Sequence, residues 1–205
     1  MIAIIDYGMG NLRSVQKGFE RVGYPAVVTR DLRAIAAAGG IVLPGVGAFN
    51  ACMDNLRRYG LVEPIRDVVR QKKPFLGICL GFQLLFTESE EFGQGKGLGV
   101  IPAAVRRFPS SLKVPHMGWN QVEHRGDLEL FDGIPSGAHF YFVHSYYPEA
   151  ADPSLRSATC TYGVTFPAAV ERGGLFATQF HPEKSQRWGL RLLENFAAFV
   201  RDQRH

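Results

Sequence analysis

Apolar positions follow two rhythms along the chain. Met1–Ile5 is a short continuous apolar run, which predicts a first strand. Leu12, Val15, Phe19 and Val22 then recur at intervals of three and four, predicting an amphipathic helix that stops at Gly23. The alternation repeats with a strand near Ala26–Thr29, an alanine-rich helix near Leu32–Ala38 and a strand at Ile41–Leu43. Helices follow around Ala51–Arg58 and Val62–Gln71, then a strand at Phe75–Ile78. Phe82, Leu85 and Phe86 return to helical spacing, so the chain is expected to turn from strand into helix at Cys79. Alternating strand and helix predicts an α/β fold, with an open, mostly parallel central sheet flanked by helices on both faces.

From about Gly97 the rhythm changes. Short β-prone runs at Ala104–Phe108, Asn120–Glu123, Ala138–Val143, Leu155–Cys160 and Ala168–Glu171 are separated by turns rich in Gly, Pro and Asp. These predict antiparallel strands added to the first sheet. A last strand, Leu175–Phe180, precedes His181-Pro182-Glu183, and a helix over Trp188–Val200 turns Leu192, Leu193, Phe196 and Phe199 toward the core. No linker, repeat or low-complexity segment interrupts the pattern, so residues 1–205 are expected to form a single domain.

Composition changes this picture little. Apolar residues make up 46% and charged residues 20% of the 205, an ordinary balance for a globular domain. Three scattered cysteines, Cys52, Cys79 and Cys160, suit neither a disulfide framework nor a metal site, and point to a reducing, cytoplasmic setting. Met1–Ile5 ends at Asp6 without a basic leader, so neither a signal peptide nor a membrane span is expected. The net charge of +4 gathers weakly at Arg187, Arg191, Arg201 and Arg204. With no aromatic-basic motif beside them, these read as a solvated helix face rather than a nucleic-acid site. Gly8-x-Gly10 lacks the third glycine of a dinucleotide-binding turn.

The chemistry gathers at strand ends, where open α/β sheets place their sites. Pro44-Gly45-Val46-Gly47 follows one strand, and glycines there let backbone N–H groups turn toward a ligand, although Gly and Pro also serve plain turns. Gly77-Ile78-Cys79-Leu80-Gly81 follows another and has the form of a nucleophile elbow with sulfur in place of oxygen. A helix beginning at Cys79 would lower the thiol's pKa through its dipole and free N–H groups. A buried core cysteine is the competing reading. About a hundred residues later, His181-Pro182-Glu183 supplies an imidazole to take the thiol proton and a carboxylate to fix the imidazole's tautomer. On extended backbone, residues 181 and 183 point the same way. His116, His124, His139 and His205 have no partnered spacing and read as packing or surface residues.

The Pro-Gly-Val-Gly loop, Gly-Ile-Cys-Leu-Gly-Phe-Gln and Phe-His-Pro-Glu together resemble class I, triad-type glutamine amidotransferases, whose fold is flavodoxin-like. Asp6–Leu12, Val114–Asn120, Tyr141–Tyr146 and Pro182–Ser185 narrow the resemblance to the glutaminase subunits of imidazole glycerol phosphate synthase, over the whole chain. Phe82 stands where that family usually has Met. The resemblance implies hydrolysis of glutamine by Cys79, His181 and Glu183, with oxyanion donors at Leu80 and the Val46–Gly47 peptide. It implies glutamine contacts at Gly45, Gln83, Glu91, Ser145 and Tyr146, and neither metal nor cofactor. Its implied partner is a (β/α)8-barrel cyclase, bound as a heterodimer through Asn11, Trp119, Tyr141 and Lys184. That partner takes up the ammonia to make imidazole glycerol phosphate and aminoimidazole carboxamide ribonucleotide in histidine biosynthesis.

Overall fold

In the computed structural model, which describes residues 1–149 and 153–203, the first half of the chain follows the predicted alternation closely. It runs β1 (Ile2–Ile5), α1 (Leu12–Arg21), β2 (Ala26–Thr29), α2 (Leu32–Ala37), β3 (Gly40–Gly45), α3 (Phe49–Arg58), α4 (Val62–Arg70) and β4 (Phe75–Cys79). Local chemistry sets several of these limits. Asp31 caps α2 by accepting hydrogen bonds from the N–H groups of Arg33 and Ala34, satisfying donors that the helix itself leaves free. β3 runs two residues beyond the expected end, so Pro44 and Gly45 belong to the strand, and Gly45 is paired with Cys79.

After Cys79 the structure corrects the sequence reading. The helix α5 is a single turn, Leu80–Gln83, and Phe86 begins a strand, β5 (Phe86–Ser89). The carbonyls of Leu84, Leu85 and Phe86 accept from the N–H groups of Leu98, Val100 and Gly99 instead of closing further helical turns. Tertiary pairing here overrides a three-residue helical spacing. So short a helix carries little dipole, and the thiol's setting rests on its neighbours.

The chain continues through β6 (Gly95–Lys96), β7 (Ile101–Arg107), β8 (His116–Val122), β9 (Ala138–His144), β10 (Tyr146–Pro148), β11 (Arg156–Tyr162), β12 (Val164–Arg172), β13 (Leu175–Thr178) and α6 (Gln186–Asp202). Only β11 and β12 extend the first sheet antiparallel. Among the described residues that sheet has seven strands in the order β11-β12-β13-β4-β3-β1-β2, with the last five mutually parallel. The other late strands form a four-stranded sheet, β10-β7-β5-β6, and the β8–β9 hairpin, which meets the first sheet at an antiparallel bridge between Glu123, just past β8, and Thr159 of β11 instead of joining it along a full strand.

Both faces of the main sheet are buried, which is why its strands read as continuous apolar runs. Ile2, Ile4, Val42, Leu76 and Ile78 pack on one side with Val15 and Phe19 of α1 and Leu192, Leu193 and Phe196 of α6. The intervening Ala3, Ile5, Ile41, Leu43 and Phe75 pack on the other side with Cys52, Met53 and Leu56 of α3 and Ile65 of α4. Phe82 lies wholly in this second cluster, its ring 5.3 Å from that of Phe86. The unusual residue is therefore absorbed by the core. No helix among the described residues is long and apolar enough to cross a membrane.

Candidate active site

Cys79 closes β4 at φ +55°, ψ −109°, a conformation that an L-residue holds only under strain. The two glycines flanking it are required by close approach. A Cβ on Gly81 would lie 1.8 Å from the carbonyl oxygen of Leu43, and one on Gly77 would lie 2.9 Å from that of Gly81. The elbow thus folds directly onto β3 and brings the Pro44–Gly47 segment beside the sulfur.

On the other flank, β13 is in register with β4, Thr178 opposite Ile78, so the chain leaving β13 passes the elbow. His181 and Glu183 lie on this exit, with only 2% of either side chain exposed. Glu183 Oε1 lies 2.8 Å from His181 Nδ1. The predicted contact is present, but on different geometry: Pro182 opens a 3-10 turn, Pro182–Lys184, rather than continuing extended backbone. Ser185 secures the turn, its hydroxyl donating to the carbonyl of His181 at 2.6 Å and accepting from the N–H of Tyr141 at 3.0 Å.

Burial alone would depress the His181 pKa, but charge interaction and hydrogen bonding with Cys79, and then with Glu183, outweigh it and raise the value to about 10. Its remaining ring nitrogen, Nε2, is buried and has no other hydrogen-bond partner, which leaves it to the Cys79 sulfur. Catalytic hydrogen bonds are often open before substrate arrives. Gln179 Nε2 also approaches Cys79 Sγ, at 3.7 Å. Gln179 belongs to none of the sequence motifs above. Its only signal was a polar side chain in an apolar run, which demands a partner once buried.

These groups face a cavity of about 300 Å³ lined by Val46, Gly47, Cys79, Leu80, Gln83, Glu91, Ser145, Tyr146 and His181, among others. That volume is at the small end for ligand sites and suits a metabolite. Of the predicted site residues, Gly45 alone among the oxyanion and glutamine set is not in the lining. It packs instead against Tyr7 and the elbow, where a Cβ would meet Tyr7 Oη and Gly81 N at 2.8 Å. Glu91 anchors the start of α3, accepting from the N–H of Phe49 at 2.6 Å. Gln83 donates through Nε2 to the carbonyl of Tyr146 (2.8 Å) and to Gln179 Oε1 (2.9 Å), which leaves its own Oε1 to present to the cavity. The carbonyl of Val46 accepts weakly from Cys52 Sγ at 3.6 Å.

Trp119, Tyr141 and Lys184 come together outside the cavity. The indole of Trp119 meets the Tyr141 ring edge-on at 6.1 Å, and Lys184 Nζ sits 6.0 Å above the same ring. Met117 and Trp119 are 65% and 47% exposed, an unusual display of large apolar surface on one hairpin. Asn11 is the exposed N-cap residue of α1, without a side-chain capping bond. His124 packs as expected, near the carbonyl of Ile134 at 3.0 Å, and His139 is exposed. His116 does not fit the expectation of an unpartnered histidine, since its Nδ1 lies 2.9 Å from His144 Nε2 in the interior. Arg204 and His205 lie outside the described residues. No cluster of three or more potential metal ligands occurs among the described residues.

A family model for class-I glutamine amidotransferases matches residues 3–199. The imidazole glycerol phosphate synthase subunit HisH of Syntrophotalea carbinolica is 60% identical over 96% of this chain and 98% of its own. The Geobacter sulfurreducens subunit of the same name is 58% identical over 95% and 97%. Among solved structures, a glutamine amidotransferase crystal structure superposes with a TM-score of 0.77 at 20% identity, covering 98% of this chain and 99% of that one. The glutaminase domain of Trypanosoma brucei CTPS with bound acivicin gives 0.73 at 18%, covering 98% and 93%. At such identities these two speak for the fold alone. The chain belongs to the glutamine amidotransferase class-I family and, within it, stands with the HisH subunits of imidazole glycerol phosphate synthase.

Proposed function

We propose that residues 1–205 act as one glutaminase domain that opens the side-chain amide of glutamine and delivers ammonia to a partner synthase subunit. The observation that carries the chemistry is the Cys79–His181–Glu183 arrangement at the wall of a metabolite-sized cavity. Cys79 attacks as thiolate on the amide carbon, forming a tetrahedral intermediate. Protonated His181 gives its proton to the departing nitrogen, ammonia leaves, and a thioester remains on the sulfur. His181 then takes a proton from water, which cleaves the thioester to release glutamate and restore the thiolate and imidazolium. Glu183 holds the imidazole through Nδ1 and favours its charged form. Oxyanion donors are assigned to the N–H of Leu80 and to an N–H of the Val46–Gly47 peptide, each contributing about 3 kcal/mol to the barrier. Gln83 Oε1 and the Glu91 carboxylate are two acceptors suited to an α-ammonium group, and backbone groups of Ser145 and Tyr146 would complete the hold.

The partner is read as a (β/α)8-barrel cyclase docking on Trp119, Tyr141 and Lys184, with Asn11 at the margin. Exposed Trp119 and half-buried Tyr141 on the β8–β9 hairpin, with exposed Lys184 of the Pro182–Lys184 turn beside them, support this surface. Ammonia passed directly between subunits would serve histidine biosynthesis, and three unpaired, buried thiols support a cytoplasmic setting. The test is glutamate release from glutamine with and without the cyclase and its nucleotide ligand. The expected result is strong stimulation by the liganded cyclase, abolished by Cys79→Ala. Release that ignores the cyclase would contradict the assigned partner, and no release in either condition would contradict the glutaminase reading.

A further inference from the structure

Behind the cavity wall a chain of hydrogen bonds runs from the exposed hairpin to the nucleophile, and each proton on it can be assigned from its partners. Asn120 Oδ1 accepts from the N–H of Gln121 at 2.8 Å, which fixes the orientation of the amide. Its Nδ2 therefore donates, to the carbonyl of Thr161 and to His116 Nε2, both at 3.1 Å. The carbonyl of Tyr146 can only accept, so His144 Nδ1, 2.8 Å away, carries the hydrogen. In neutral His144 the other nitrogen, Nε2, must accept, and it does so from His116 Nδ1 at 2.9 Å. The Tyr146 carbonyl also accepts from Gln83, whose second amide hydrogen goes to Gln179, and Gln179 reaches Cys79 Sγ.

The two imidazoles are built to stay neutral. His116 lies between the rings of Phe142 and Tyr162, with centroids 4.9 and 4.2 Å away, and His144 lies against Phe108 and Phe166. Burial lowers the pKa of His116 to about 4 and that of His144 to about 3. Buried histidine pairs are an expensive way to fill space among phenylalanines unless their directionality is used.

We infer that Asn120, His116 and His144 are positioning residues, a one-way hydrogen-bond relay that fixes the Tyr146 carbonyl and thereby aims the Gln83 amide at bound glutamine. The relay begins on β8, where inward Asn120 is flanked by outward Trp119 and Gln121, so a partner seated on the hairpin sits one residue from its first donor. This role rests on the glutaminase reading above.

The decisive variant is Asn120→Asp, which keeps the shape but replaces the donor with an acceptor. Asn120→Ala, at a half-buried site, removes the donor alone and serves if the first variant fails to fold. In complex with the partner subunit, either folded variant is expected to raise the glutamine KM about tenfold while changing kcat less than about threefold. Imidazole ¹⁵N spectra of the wild-type chain are expected to show both His116 and His144 protonated at Nδ1 only, with the His116 pair shifted in Asn120→Asp. An unchanged KM in a folded variant, or an Nε2-protonated form of either histidine in the wild type, would overturn the relay. Failure of the wild type to release glutamate would instead overturn the glutaminase reading, and the spectra would still decide the proton assignments.

Discussion

Glu183 touches no reacting atom, yet nearly all of its interaction falls on one neighbour. Oε1 binds His181 at 2.8 Å, while Oε2 is buried without a hydrogen-bond partner. A carboxylate in that state has a single strong outlet, the imidazolium beside it. Glu183→Gln keeps the size and removes the charge that supports protonated His181. Steady-state kinetics should show kcat lowered roughly 10³-fold with a nearly unchanged glutamine KM. A loss below about tenfold would mean that the pair is structural. The meeting of Cys79, His181 and Glu183 was legible in the sequence because each sits in a short motif at a strand end, but the 3-10 turn that carries Glu183 back to His181 was not. Gln179 and the His116–His144 pair were not. Their partners lie 100 and 28 residues away, and no local window records such contacts.

At the scale of elements, the His181–Glu183 turn is held by α6 as much as by its own proline. Gly189 of α6 is pressed so closely on Pro182 that a Cβ would lie 1.9 Å from its carbonyl oxygen. Gly189→Ala must push the helix and the turn apart, since backbone atoms cannot give way as a side chain tip would. The expected outcome is a loss of about 1–3 kcal/mol in denaturant unfolding and a fall in kcat of about 10²-fold from the displaced imidazole. Wild-type kcat in a folded Gly189→Ala chain would show that α6 does not set the turn. The strand-to-helix elbow at Cys79 was readable for similar reasons, because glycines on both sides announce close approach. The length of α5 was not readable. Leu84, Leu85 and Phe86 have helical spacing, but the backbone donors of 98–100 claim their carbonyls, and that pairing is tertiary.

For the molecule as a whole, the parallel half of the main sheet was visible in the sequence because both its faces are buried and its strands are separated by helices of clear period. The placement of the later strands was not visible. Alternation identifies strands such as β8 and β9 but not their neighbours, so a hairpin that meets the main sheet at one bridge, Glu123 to Thr159, reads like one paired along its length. The same whole-molecule view separates the three thiols. Burial raises Cys52 to about 11 and Cys160 to about 12, and both lie in the apolar clusters. Cys79 alone among them lines the cavity and faces His181. The central claim, that this cavity holds glutamine with its amide against Cys79, is tested most directly with an electrophilic glutamine analogue and peptide mass spectrometry of the intact chain with its partner. The account predicts a single adduct on Cys79, suppressed by excess glutamine, with Cys52 and Cys160 unmodified. An adduct on either of those thiols at a comparable rate, or labelling of Cys79 that glutamine does not suppress, would contradict it.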